Sequence, residues 1–456
     1  MNDMPKWKHE DIEVRLKAVD ELDDEDILAD IARNDCSDWV RRCAVFKITD
    51  DSILADIAEN DSCYEVRKLA VDMIGEESVL IDLAYRSSKL AARMRAIARI
   101  RDESVLLDIA RNDSDREARR VAVRKITDQS ALVDFAYNDR DRYVCADAVS
   151  NITNQDVLED LALNNIVYNV REAAVERILD DSVLAEVAIN DSIEAVAWNA
   201  VIQIRDESIL MDVARRTSDI IVRMRAVKRI RDESYLAEIV QTGFDTYNRR
   251  IAIKRIADEE VLVDVALNDS SSLVRRIAVG KISDEDVLAE VALSDSSLRV
   301  SMRAVRRIRD EDVLLDIYGK DSRCKVRRQA IKKINDKSVL ADIARNDCCE
   351  DVRILAVRKI RNQDVLECIA FSDSNEMVRL AAVGRIHDDG VLLKFVENGS
   401  GNIQRKAIEM IGDEKLLDDI ICNHPNGEMR TGAMIRLKWL KKHKGRQTKD
   451  EEGPAD

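Results

Sequence analysis

The sequence predicts an all-α protein, an α-solenoid of stacked two-helix repeats, and three observations predict it. A 26-residue step from Leu28 lands on leucine every time as far as Leu392. An alanine column keeps the same step from Ala18 to Ala382, and Ala407 and Ala433 continue it after small slips. Composition supplies the third: 36% of residues are charged, 4% are aromatic, and the prolines are Pro5, Pro425 and Pro454. That is the profile of a helical, thinly layered chain with much surface and a narrow core. A fixed period of this length marks a stacked array, because each unit buries its apolar face only against its neighbours.

The unit Asp102–Thr127, DESVLLDIARNDSDREARRVAVRKIT, shows why each element forms. Val105, Leu106, Ile109 and Ala110 make one apolar stripe, so the spacing predicts a first helix from Asp102 to about Arg111. Asn112, Asp113, Ser114 and Asp115 break it with side chains that favour turns and N-caps. The second helix, about Arg116 to Thr127, places Ala118, Ala122, Val123 and Ile126 on one face. Helices this short are unstable alone, so stacking is obligatory.

In chain order, residues 1–23 read as a polar lead-in and a capping helix, since residues 11–22 match only the second half of a unit. Residues 24–387 are fourteen regular 26-residue repeats. Residues 388–441 are two irregular capping repeats, loosened by Gly390, Gly399, Gly401 and Gly412 and interrupted by Pro425. Residues 442–456 lose the period, turn from basic to acidic, and read as a disordered tail. About 16 units at roughly 9–10 Å per layer give one elongated body on the order of 150 Å long.

Two polar columns accompany the apolar ones. The Asp113 site is Asp in ten of the first fourteen units, with Ser87, Asn165, Thr217 and Gly243 elsewhere. The Arg119 site is Arg except at Cys145, Ala197, Ser301 and Gln404. Asp, six residues on to Arg, with Val before the Arg and Ala three after it, resembles the HEAT repeat over roughly residues 11–440. The resemblance implies a right-handed superhelical array, an Asp–Arg hydrogen-bonded ladder between units, and second helices on the concave side. HEAT units are usually longer; this period is most similar to the short repeats of phycobilisome-lyase-type proteins, a likeness of repeat and not of activity. Tetratricopeptide and ankyrin repeats have other periods and signatures.

Composition also bounds function. No apolar run approaches 18 residues, and MNDMPKWKHEDIEVR carries no apolar signal core, so the expectation is a cytoplasmic protein without a membrane span. The nine cysteines show no Cys-x-x-Cys spacing and are expected reduced. His9, His387, His424 and His443 belong to no metal or catalytic constellation; Cys422-Asn423-His424 is at most half a site, and Cys348-Cys349 reads as an unreactive pair. Phosphate loops and nucleophile motifs are absent. The expectation is a non-enzyme without cofactor or metal.

Charge is segregated. Lys47, Arg99, Lys125, Arg229, Arg255, Lys281, Arg307, Lys333, Lys359 and Arg385 form a basic stripe along the second helices, while Asp30, Asp56, Asp108, Asp264 and their counterparts form an acidic row on the first. Cations in a last helical turn complement the macrodipole. The same stripe can also receive an acidic partner or a nucleic-acid backbone, although net charge −16 disfavours nucleic acid. In units five to seven the rule lapses: Tyr143, Asp147, Glu172, Glu176, Trp198, Asn199 and Gln203 put acidic and aromatic groups on the surface. A large aromatic beside polar groups is what a binding anchor requires. The pattern therefore predicts a protein-interaction scaffold that binds a partner protein or acidic segment on the concave helix face. Nucleic-acid-backbone binding, or a lyase- or chaperone-like role toward a cofactor-bearing protein, are the other readings.

The period sets a first prediction. Deleting residues 258–283, one whole unit, leaves a folded, shorter protein by circular dichroism and gel filtration, whereas deleting 13 residues turns a helix face out of register and unfolds it.

Overall fold

Each repeat folds as two short helices whose ends are held by side chains. In the unit above, the first helix spans Glu103–Asn112, and Asp102 caps it by accepting the Ser104 N–H at 2.9 Å. It stops at Asp113, where the backbone turns extended. Asp115 then caps the second helix, Arg116–Val123, accepting the N–H groups of Glu117 and Ala118. This helix ends three to four residues earlier than the spacing predicts, because Lys125 and Ile126 close a tighter turn on the Ala122 and Val123 carbonyls. Leu106, Ile109, Ala110, Ala118, Ala122, Val123 and Ile126 are buried, and so are their counterparts in nearly every repeat.

The computed structural model describes residues 5–450, all helix and connecting turn with no strand among them. The chain divides into two compact units, Met1–Ile230 and Arg231–Asp456. In the first, a lone helix, Ile12–Glu21, precedes eight helix pairs that run from Glu25–Asn34 with Asp38–Lys47 to Glu207–Arg216 with Ile220–Arg229. The second contains eight pairs, from Glu233–Gln241 with Thr246–Ile253 to Glu414–Asn423 with Gly427–Asp450. Each unit is an α-solenoid of stacked two-helix repeats: a helix pairs with its partner and stacks on the next repeat, and second helices mostly lie closer together than first helices. The last helix continues through the basic segment to Asp450, so a helix occupies the first part of the segment expected as a tail. Residues 451–456 of that tail lie outside the described residues.

An Arg–Asp rung joins successive repeats. Arg41 donates from Nε and Nη2 to the two carboxylate oxygens of Asp61, at 2.8 and 3.0 Å, and from Nη1 to the Asp35 carbonyl at 2.8 Å. Asp61 in turn accepts the Cys63 N–H at 2.6 Å. The same rung links Arg15 to Asp35, Arg171 to Asp191, Arg249 to Asp269, Arg275 to Asp295, Arg327 to Asp347 and Arg353 to Asp373. These pairs are largely buried. A buried ion pair is tolerable only when its remaining donors and acceptors are filled, and here the backbone fills them.

Where the column departs, neighbours compensate. Ser301 leaves Asp321 without its rung partner, and Arg323 takes the carboxylate instead, at 2.7 and 3.0 Å. Arg323 also donates to the Asp295 carbonyl at 2.9 Å and to Ser301 Oγ at 3.1 Å, filling the place of the missing arginine from the next repeat. At Ser87, where the aspartate is missing, Glu59 of the preceding repeat accepts the hydroxyl and, at 2.9 Å, the Ser88 N–H.

A second ladder was not evident in the pattern reading. The first residue of most first helices reaches the turn before the next one: Glu103 accepts the N–H groups of Thr127 and Asp128 at 2.7 and 2.9 Å. Glu25, Asp181 and Glu311 do the same, and Gln129, Gln155 and Gln363 accept one N–H each. Lys337 alone in this column brings a cation and no acceptor to that joint. Lys337→Glu therefore restores the acceptor toward Arg361 and Asn362 and suits a helix N-terminus. The variant is expected to gain about 0.5–1 kcal/mol, read as a higher urea midpoint.

Candidate interaction surface

Once the apolar stripes and ladders are subtracted, the outward face of the second helices remains. The basic stripe lies in the register the spacing placed it, and its charges are spent at the joints. Lys47 donates to the carbonyls of Val19, Asp20 and Leu22, with the Asp20 contact at 2.8 Å. Lys125 reaches Ile97, Ala98 and Ile100 in the same way, and Lys281, Lys333 and Lys359 follow. Arg229, Arg307 and Arg385 donate to single carbonyls of Ile204, Ile282 and Ile360 at 2.7, 2.8 and 3.1 Å, and Arg99 to Val71. Arg255 holds the same register position, just beyond the helix Thr246–Ile253.

The last carbonyls of a helix have no partner within it. The cations with these carbonyl contacts therefore cap the C-terminus of the preceding second helix, which is the macrodipole reading of the stripe made concrete. Burial pushes the Lys125, Lys333 and Lys359 ammonium groups below the ordinary lysine value. Asn151 makes the capping contact as an amide, donating to the Arg124 carbonyl at 2.9 Å.

The central residues gather into two clusters. In one, Asp147 accepts from Arg120 at 2.7 Å and Arg124 at 2.8 Å, and Tyr143 lies under Arg142, 4.9 Å from its ring centre, and near Arg120. The Asp147 hydrogen bond raises Arg120 above its usual value. In the other, Asn199 donates to Glu172 at 3.1 Å, and the Trp198 ring stacks against the Arg225 guanidinium, 3.4 Å from its centre. Glu176 is exposed just past its helix, and Gln203 is half-buried in the register of the basic stripe.

Two more exposed aromatics stand on this face. Trp39 and Phe46 project from one face of the helix Asp38–Lys47, 61% and 66% exposed against 37% for Trp198. They stand in the same columns as Tyr143 and Ile202. That column position was the available signal; exposure was not.

Other candidate chemistry resolves into structure. Among the described residues no cluster of three or more His, Cys, Asp or Glu side chains is placed to hold a metal. His424 Nδ1 accepts the Asn426 N–H at 3.2 Å, tying its own turn. The cysteines are free; Cys349 neighbours Cys324 of the preceding repeat, and their hydrogen bond raises the Cys324 thiol. Among the described residues no helix is long and apolar enough to cross a membrane.

No protein-family model matches the chain, and no curated protein matches it. Among solved structures it is similar to importin beta, at 12% identity and TM-score 0.30, covering 95% of this chain and 74% of that one. It is also similar to the S. pombe condensin Cnd3–Cnd2 subcomplex, at 13% identity and TM-score 0.23, covering 98% and 88%. Kap121p bound to Pho4p aligns at 13% identity and TM-score 0.24; the chain spans 55% of its length, and 94% of this chain is covered.

The joints make stability depend on pH. The Thr127 and Asp128 N–H groups hold Glu103 below the usual glutamate value. Burial alone would raise Asp347, but Arg327, the Cys349 N–H and the Tyr318 hydroxyl outweigh it and leave the carboxyl below the usual range. Folded values below unfolded ones mean that this stability is present above the unfolded carboxylate pKa of about 4 and lost as pH falls through the folded values. Melting temperature, followed by circular dichroism, is expected to fall steeply below about pH 4, and Asp347→Asn to lower it at neutral pH while flattening the acid limb.

Proposed function

We propose that the chain is a non-catalytic, cytoplasmic scaffold that holds a protein partner on the outward face of its second helices. The observation that carries this reading is the set of apolar and aromatic side chains that escape the period on that face, with Trp198 stacked on Arg225 and Ile202 exposed one turn on. The repeat demands none of them, because the residues that build the stack already bury its core and cap its helices. A desolvatable aromatic, oriented by a guanidinium and ringed by the polar pair Glu172 and Asn199, is the composition of an interface anchor.

The basic stripe does not favour a nucleic-acid reading, since its cations cap carbonyls and the chain carries net charge −16. In the test, wild-type protein and Trp198→Ala capture partners from native extract at equal folding, followed by mass spectrometry and titration of the captured protein. The variant is expected to bind more weakly by over about 1 kcal/mol with an almost unchanged melting temperature. Equal capture by both proteins overturns the placement, and salt-sensitive binding of duplex DNA in place of a protein overturns the reading.

A further inference from the structure

The second unit presents a different face. Its first four second-helix segments, residues 246–255, 272–281, 298–307 and 324–333, contain no Asp or Glu. Between the helices Ser272–Val279 and Leu298–Arg307 lies an open groove of about 650 Å³, lined by Arg276, Arg299, Arg303 and Arg306 over a floor of Ile277 and Met302. Neighbouring cations are already used: Arg275 pairs with Asp295 at 2.7 Å, and Arg307 caps the Ile282 carbonyl at 2.8 Å. The four groove arginines form no ion pair among the described residues.

Four exposed guanidinium groups stand around one groove and repel each other, so the arrangement favours an anion that bridges them. Guanidinium forks pair bidentately with carboxylates. The Ile277 and Met302 floor accepts an aliphatic side chain, which a sugar–phosphate backbone does not offer. The groove lining contains no aromatic ring on which a base could stack. A long polyanion would also meet the field of a chain with net charge −16, whereas a short segment makes its contacts within a Debye length.

We infer that this groove receives a carboxylate-rich segment of a protein partner, a short run of Asp and Glu with an interspersed aliphatic residue. The inference rests on the reading of the second-helix face as the partner surface, and it names a site separate from Trp198.

The test uses the full chain and a short fluorescein-labelled Glu-rich peptide with interspersed leucines, followed by fluorescence anisotropy at low and physiological salt. Arg299→Glu/Arg303→Glu is expected to weaken binding on the order of tenfold or more, and Arg299→Gln/Arg303→Gln to weaken it less. The control Lys17→Glu/Lys415→Glu, with the same change in net charge, keeps wild-type affinity, and so does Trp198→Ala. Circular dichroism confirms equal folding of each protein. Absence of peptide binding, equal binding by the charge-reversed groove, an equal loss in the control, or tighter binding of duplex DNA than of peptide each overturn the inference. Loss of partner capture in Trp198→Ala with peptide binding intact separates a failure of one site from a failure of the other.

Discussion

The structure depends on satisfying helix ends. A helix of eight or ten residues leaves about four N–H and four C=O groups without partners, so roughly every other backbone polar group in such a chain needs help from outside its helix. Three columns supply that help across the joint between repeats. The rung arginine, as in Arg41, fills a carboxylate and a carbonyl; the leading acid, as in Glu103, takes the N–H groups of the next turn; and the trailing cation, as in Lys125, takes the carbonyls of the previous helix. The leading acid and the trailing cation act on a neighbouring repeat, while the rung arginine ties the turn of its own repeat to the carboxylate of the next. A single unit therefore has neither a complete core nor satisfied ends.

This explains why charge here is a poor guide to function. Most recurring Asp, Glu, Lys and Arg positions are structural, although they look like stripes on a surface. The residues that do not recur are another matter. Trp39, Phe46, Trp198 and Ile202 break their columns toward bulk and hydrophobicity, and Arg276, Arg299, Arg303 and Arg306 form a cluster outside the ladder. Ser301 shows the other kind of departure, a gap that Arg323 repairs from the next repeat, which marks maintenance of the stack.

The fold was legible because its cause is periodic. Leu106 and Ala122 read out the core directly, and Asp113 with Arg119 read out the rung, since residues in identical environments recur at identical spacing. The leading-acid ladder was less legible because Glu, Asp and Gln all serve it, and an acid at a helix N-terminus already has a sufficient local explanation. Asn248 shows the limit. It is fully buried where most repeats have valine, and its amide bonds Asp245 at 2.6 Å, a local exchange that no column announces.

The candidate sites were only partly legible, for a physical reason. Recognition residues are defined by exposure and by what lies one repeat away, at about 26 residues' separation, and pattern reading treats such neighbours as copies. Trp198 was visible as an odd residue, but Arg225, 27 positions on, is what orients it. The four groove arginines belong to no single column, and the structure separates them from the cations that cap carbonyls. In a repeat protein the period identifies the scaffold. Its interruptions, placed in three dimensions, are where the proposed binding surfaces lie.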